Sequence, residues 1–148
     1  MTIFAENRKA RFNYELLEEL EAGIELLGHE VRAVRTGKMT LEGTHATVRG
    51  GEVYLVGATI SPYQPNNLPV GYEPTRNRRL LLTRKEIEKL ENVEHSKGLT
   101  IVPILVYNKN RRIKVRIAIA RGKKKFDKRA SLRKRDDERE MMRELKGR

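Results

Sequence analysis

YELLEELEAGIELLG, residues 14–28, is the stretch whose reading decides the fold. Leu16, Leu17, Leu20, Ile24 and Leu27 fall on one stripe of a helix. Leu20, Ala22, Ile24 and Leu26 instead alternate with Glu21, Gly23 and Glu25, as a strand with one buried face requires. Gly23 in mid-segment weakens a helix by about 1 kcal/mol. Periodicity leaves both readings open.

The segments on either side are plainer. HEVRAVRTGK (29–38) reads as a short helix with Val31 and Val34 inward, Arg32 and Arg35 outward and Gly37 as its stop. THATVRGGEVYLVGATI (44–60) is a hairpin, two β-rich runs flanking Arg49-Gly50-Gly51-Glu52. Residues 61–79 hold four of the five prolines and form a long surface loop ending in Arg76, Arg78 and Arg79, a basic rim before Leu80-Leu81-Leu82. Thr83-Arg84-Lys85-Glu86 is a capping box that starts a helix with Ile87 and Leu90 on its buried side, closed by Gly98. LTIVPILVY and RRIKVRIAIA follow as two strands joined at Asn108-Lys109-Asn110. Ile113, Val115, Ile117 and Ile119 share one face of the second, and Lys114, Arg116, Ala118 and Ala120 the other. Pro103 lacks a ladder donor and belongs at an edge or bulge. The count is about six strands and two or three helices. Such a short antiparallel sheet closes most easily into a small barrel, with the oligonucleotide-binding type one option.

Charge divides the chain of 148 residues unevenly. The net is +12, from 32 Lys or Arg and 20 Asp or Glu. Residues 121–148 carry thirteen basic and six acidic side chains, a net of +7. This segment has few apolar residues, and ordering each residue costs roughly 1–2 kcal/mol in backbone entropy. The expectation is a folded domain over residues 1–120 and a basic tail over 121–148, disordered when free and ordered on a polyanion. Opposite charges at helical spacing, such as Arg133 with Asp137, give that tail a latent helix. From Arg121 to Arg129 six cations surround one aromatic and one carboxylate, a composition suited to phosphates and stacked bases. NRKARFNY (7–14) likewise interleaves Arg8, Lys9 and Arg11 with Phe12 and Tyr14. It reads equally as an RNA-binding arm or as a lid on the core.

The same composition narrows the partners. A pI near 10.2 favours nucleic acid. No apolar run approaches the roughly 20 residues of a spanning helix. There is no Cys, which removes disulfides and thiolate chemistry and fits a cytoplasmic, reducing location. His29, His45 and His95 are isolated, and Asp136-Asp137-Glu138 lies in an exposed charge run without a core to hold metal geometry. No phosphate-cradling glycine loop or nucleophile elbow is present. The sequence argues for a binding protein without metal or cofactor, a monomer when free, and against an enzyme.

EAGIELLGHEVRAVRTGK (21–38), EPTRNRRLLLTRKEI (73–87), KGLTIVPILVYNKNRRIKVRIAIARGKK (97–124) and DKR (127–129), with NRKARFNY ahead of them, resemble small protein B, the SsrA-binding (tmRNA-binding) family of bacterial trans-translation. The resemblance spans about residues 7–129 in one order. It implies a mainly β chain: a six-stranded OB-like antiparallel barrel with three peripheral helices, in which EAGIELLG is a strand. It implies that the barrel binds the tRNA-like domain of tmRNA and escorts it to stalled ribosomes. The tail then occupies the empty mRNA path at the small-subunit decoding centre and is helical there. By match to the family's motifs, Glu21, Leu81 and Thr83 contact tmRNA, although Thr83 replaces the amide or imidazole common at its position. Phe12 sits at an aromatic or histidine position of the RNA-facing arm, and Gly122, Lys123 and Lys124 match the GKK at the barrel exit. Lys9, Arg11, Arg35, Lys38, Arg76 and Arg78 complete the expected tmRNA surface. Asp127, Lys128 and Arg129 match the DKR required for tagging, and Phe126, Arg133 and Met141 complete the ribosome-facing set. Composition alone fits an alternative equally well, a ribosomal or general RNA-binding protein with a basic extension.

Overall fold

The computed structural model describes residues 2–64, 68–123 and the single position 139. The expectations for Lys124, Phe126, Asp127, Lys128, Arg129, Arg133 and Met141, and for the order of the tail, lie outside the described residues.

In chain order the elements are β1 (Ile3–Glu6), α1 (Arg8–Asn13), β2 (Tyr14–Ile24), α2 (Gly28–Arg35), β3 (Met39–Thr40), β4 (His45–Arg49) and β5 (Glu52–Val56). They continue with β6 (Thr59–Ile60), β7 (Arg78–Leu81), α3 (Arg84–Glu94), β8 (Leu99–Lys109) and β9 (Arg112–Gly122). The undecided stretch is therefore an eleven-residue strand that runs from Tyr14 to Ile24 before α2 begins. Tertiary pairing decides what periodicity left open. β2 lies antiparallel to β9 from Tyr14↔Gly122 to Gly23↔Lys114, with a bulge between Leu16 and Glu18. The bulge accounts for the double pattern. Leu16 packs on the outer apolar cluster and Leu20 on the inner one, although four residues apart in a regular strand they would share a face.

Strands β8-β4-β5-β7-β2-β9 are hydrogen-bonded in that order, and β9 pairs back onto β8, so six antiparallel strands close a barrel. This is the expected OB-like architecture with three helices. β1 adds outside the ring onto β8, and β3 with β6 makes a separate two-stranded ladder. The Gly50-Gly51 turn has φ of 58° and 76°, the doubly positive geometry of a two-residue hairpin. The second hairpin turns one residue later than the sequence suggests, at Asn110-Arg111, with φ of 51° and 64°. Pro103 sits at the β8–β9 register shift between Pro103 and Leu105, where its missing N–H costs no ladder bond. β9 continues two residues past the boundary expected at residue 120, with the Lys123 amide donating to the Asn13 carbonyl at 2.9 Å.

Two apolar clusters hold the ring. The interior packs Ala22, Val53, Leu55, Leu80, Ile101, Val106, Val115 and Ile117, capped by Val34 of α2 and Leu90 of α3. On the outside of the β8–β9 ribbon, Val102, Ile104, Tyr107, Ala118 and Ala120 pack with Ala10 of α1. Ala118 and Ala120 do face away from the isoleucines, but under α1 rather than toward solvent. The NRKARFNY arm is thus a lid over a secondary core, since α1 occupies Arg8–Asn13 and buries Ala10. Its cations Arg8, Lys9 and Arg11 are exposed on the other side of the helix, Arg8 near Glu6 and Lys9 paired with Glu42.

Candidate nucleic-acid interface

The alternation of β9 sets Val115 and Ile117 inward and Arg112, Lys114 and Arg116 outward. Register carries that pattern sideways. Glu21 of β2 lies opposite Arg116, while Tyr107 and Lys109 of β8 lie opposite Lys114 and Arg112. The outer face of three adjacent strands thus presents Lys109, Arg112, Lys114 and Arg116 around one carboxylate. Tyr107, itself 1% exposed, donates its hydroxyl to Glu21 Oε1, and Lys109 Nζ donates to Glu21 Oε2 at 3.2 Å. The Arg116 guanidinium lies 5.3 Å from the Tyr107 ring centre, a cation–π distance. The Tyr107 hydroxyl, followed by Lys109 and Lys114, holds the Glu21 carboxyl below the usual carboxylate range. Burial first, and the hydrogen bond to Glu21 second, push the Tyr107 phenol up to about 12. At neutral pH Glu21 is a charged acceptor and Tyr107 a donor.

Beside this face a groove of about 310 Å³ opens, floored by Ile24, Leu26, Val31, Leu81 and Ile113 and rimmed by Arg35, Arg111, Arg112 and Lys114. Leu81 is exposed, and Gly23 explains why it can stand there. A Cβ at Gly23 would approach Leu81 Cβ to 3.2 Å, so the glycine lets Leu81 pack over β2 without the shift of a few tenths of an ångström that a side chain there would demand. Arg35 braces the groove's far wall. Its guanidinium donates to Asn108 Oδ1 at 3.2 Å and to the Arg111 carbonyl at 2.9 Å, and stands 5.8 Å from the Phe4 ring centre. An apolar floor with a cationic rim suits an unstacked base whose phosphates lie outside.

The expected residues separate into three sets. Arg35 and Leu81 line this groove and Glu21 lies on the adjoining face, all near the Gly23↔Lys114 end of the β2–β9 ladder. Lys9, Arg11, Phe12, Gly122 and Lys123 gather at the other end, where Tyr14 pairs with Gly122 and Lys123 Nζ reaches the Arg11 carbonyl. Eight residues of strand separate Lys114 from Gly122, roughly 27 Å. An RNA touching both groups must run along the whole ladder. Lys9 is already paired with Glu42. Lys38 is exposed after α2, and its carbonyl accepts from the Ser61 amide.

Arg76 and Arg78 form the third set, and for Arg78 the expectation is corrected. Arg78 is fully buried, donating to Glu30 Oε2 at 2.6 and 3.0 Å and to the carbonyls of Ala58, Pro74 and Arg76. Arg76 donates to both Glu30 oxygens and Tyr72 donates to Oε2 at 2.8 Å. These side chains tie residues 72–78 to α2; Arg78 has no exposed surface, while the Arg76 side chain stays 29% exposed. Thr83 is engaged locally as well. Its hydroxyl accepts from the Glu86 amide at 3.3 Å and donates to Glu86 Oε1 at 2.9 Å, completing the capping box of α3.

Sequence reasoning missed Tyr107, Lys109, Arg111, Arg112 and Lys114 as members of one surface. Alternation of β9 put Lys114 and Arg116 on a shared face, but their union with Glu21 depends on register across three strands.

A closed six-stranded antiparallel barrel with an outward cationic face defines the class: small oligonucleotide-binding-type barrels. The chain matches the family model described as SmpB protein over residues 4–147. It is 47% identical over 146 residues to an SsrA-binding protein of Thermosynechococcus vestitus, covering 99% of this chain and 96% of that one. An SsrA-binding protein of Chloroflexus aggregans is 46% identical over 148 residues, 100% of this chain and 94% of its own. Among solved structures, a chain described under "tmRNA-SmpB: a journey to the center of the bacterial ribosome" superposes with a TM-score of 0.67 at 43% identity, covering 81% of this chain and 84% of that one. The chain belongs to the SmpB family.

Proposed function

We propose that this protein binds tmRNA and acts with it on the ribosome in trans-translation. The observation that carries the reading is membership of the SmpB family along residues 4–147, together with relatives named for SsrA binding and a solved relative described with tmRNA and the ribosome. The outward face of β2, β9 and β8 supports it physically. Four cations there offer phosphate contacts, and the adjoining groove offers an apolar seat for a base. The barrel takes the tRNA-like domain, and the protein delivers it to ribosomes stalled without a usable stop codon. The basic tail beyond Lys123, with Asp127, Lys128 and Arg129 at its start, takes the empty mRNA path at the decoding centre. The chain acts as a binding protein in the cytoplasm and performs no catalysis of its own.

Sequencing the RNA that co-purifies with the tagged full chain from its native cell tests this. The expected result is one predominant RNA ending in a tRNA-like fold. Broad recovery of ribosomal RNA without it supports the general RNA-binding alternative instead.

A further inference from the structure

We propose that Tyr107 is a positioning residue for RNA recognition, whose hydroxyl aims the Glu21 carboxylate at a hydrogen-bond donor of the RNA. The inference rests on the tmRNA-binding reading and adds to it how one acidic side chain works inside a basic face. An ionised carboxylate among Lys109, Arg112, Lys114 and Arg116 repels phosphate, so its ligand is a donor, either a base N–H or a ribose hydroxyl. Unsupported on a strand surface, a glutamate swings through several rotamers and collapses onto the nearest cation.

Here it is held from two sides. The Tyr107 hydroxyl takes Oε1 and Lys109 takes Oε2. A carboxylate offers about four acceptor sites, so acceptor capacity remains on each oxygen, and the Glu21 side chain keeps 36% of its surface exposed. Tyr107 is a stiff support because its ring belongs to the secondary core with Leu105 and Ala118 and is 1% exposed. Its hydroxyl position is therefore set by packing, 86 residues away from Glu21 in sequence. Arg116, over the ring, closes the open side.

Tyr107→Phe keeps the ring, its packing and the Arg116 stacking and removes only the hydroxyl. The test is a double-mutant cycle of Tyr107→Phe and Glu21→Gln in the full chain, with affinity read for the tRNA-like domain of tmRNA. The expected result is about tenfold weaker binding for Tyr107→Phe. The double variant should be no weaker than Glu21→Gln alone, since the hydroxyl acts only through the carboxylate. Carbon-13 NMR of the Glu21 carboxyl in the free protein supplies a second readout that packing alone does not move. Its titration, set by Tyr107 with Lys109, Lys114 and Arg116 around it and Glu19 next on the same face, should rise toward the ordinary carboxylate range in Tyr107→Phe. Repeating the cycle with 2′-deoxy-substituted RNA separates the donors: loss of the Glu21 effect assigns a ribose hydroxyl, and its persistence a base edge. Wild-type affinity for Tyr107→Phe beside a weakened Glu21→Gln, losses that multiply in the double variant, or an unimpaired Glu21→Gln would each overturn the assignment. Failure of the tmRNA-binding reading shows separately, as a wild-type chain that does not prefer the tRNA-like domain over a control RNA of equal length.

Discussion

Glu30 is ionised inside the protein although its side chain has no solvent exposure. Burial pushes its carboxyl up, but Arg76, the Leu27 amide, Arg78 and Tyr72 outweigh that and hold it at about 2. The folded-state value lies below the unfolded one, so this group stabilises the fold above about pH 4.5. That contribution, on the order of 3 kcal/mol, is lost as pH falls from there toward 2. Glu30→Gln strands the Arg78 guanidinium without its counter-charge, a loss of about 3–5 kcal/mol, and should lower the melting temperature by roughly 10–20 °C. Thermal melts at pH 7 and pH 3 check both statements: the variant should be much less stable at pH 7, with the gap narrowing at pH 3. A gap that stays constant with pH contradicts the charged network. None of this was legible in the sequence. Arg78 reads as a surface cation beside Arg76 and Arg79, and only its partner 48 residues earlier shows otherwise. Thr83, whose partner is three residues away, was legible as a cap from its own motif.

At the scale of elements, the β8–β9 hairpin combines a strained turn with a charged tip. Asn110 accepts a left-handed conformation readily, but Arg111 at φ of 64° carries a Cβ there, at a cost of about 1–2 kcal/mol. Arg111→Gly should therefore stabilise the free protein by about 1 kcal/mol and at the same time weaken RNA binding, because the side chain rims the groove. Denaturant melts and RNA titrations of one preparation test the pair of effects. Greater stability with unchanged affinity removes Arg111 from the interface. Elements whose signals are local, the Gly50-Gly51 hairpin, α3 and the two long C-terminal strands, could be read from the chain. β2 could not, since its bulge superimposes two periods and only the ladder with β9 separates them. The family resemblance supplied the strand that the residues alone left open.

Across the whole molecule, the groove and the Lys123 end of β9 lie at opposite ends of one ladder. An RNA that meets the residues expected at both ends runs along the β2–β9 ladder, and the basic segment past Lys123 begins at one of those ends. Ending the chain at Ala130 should leave tmRNA affinity nearly unchanged and abolish tagging in a stalled-translation assay. Equal loss of both contradicts that division. Net charge was legible and pointed to nucleic acid, but it did not say which cations are free to meet it. Arg76 and Arg78 turned inward to Glu30, while Lys109, Arg111 and Arg112 joined the outward face.

That face is tested most directly by equilibrium binding of the tRNA-like domain to two matched triple variants, each with three positive charges removed. One neutralises Arg112, Lys114 and Arg116 to Gln on the β9 face; the other neutralises exposed Lys85, Lys89 and Lys97 to Gln on and just after α3. The first should bind roughly a hundredfold or more weakly, with a log–log salt dependence shallower by about 1 for each phosphate no longer neutralised. The second should stay within a few-fold of wild type. Equal weakening in the two variants, or the larger effect on α3, would place the RNA on another surface of the barrel.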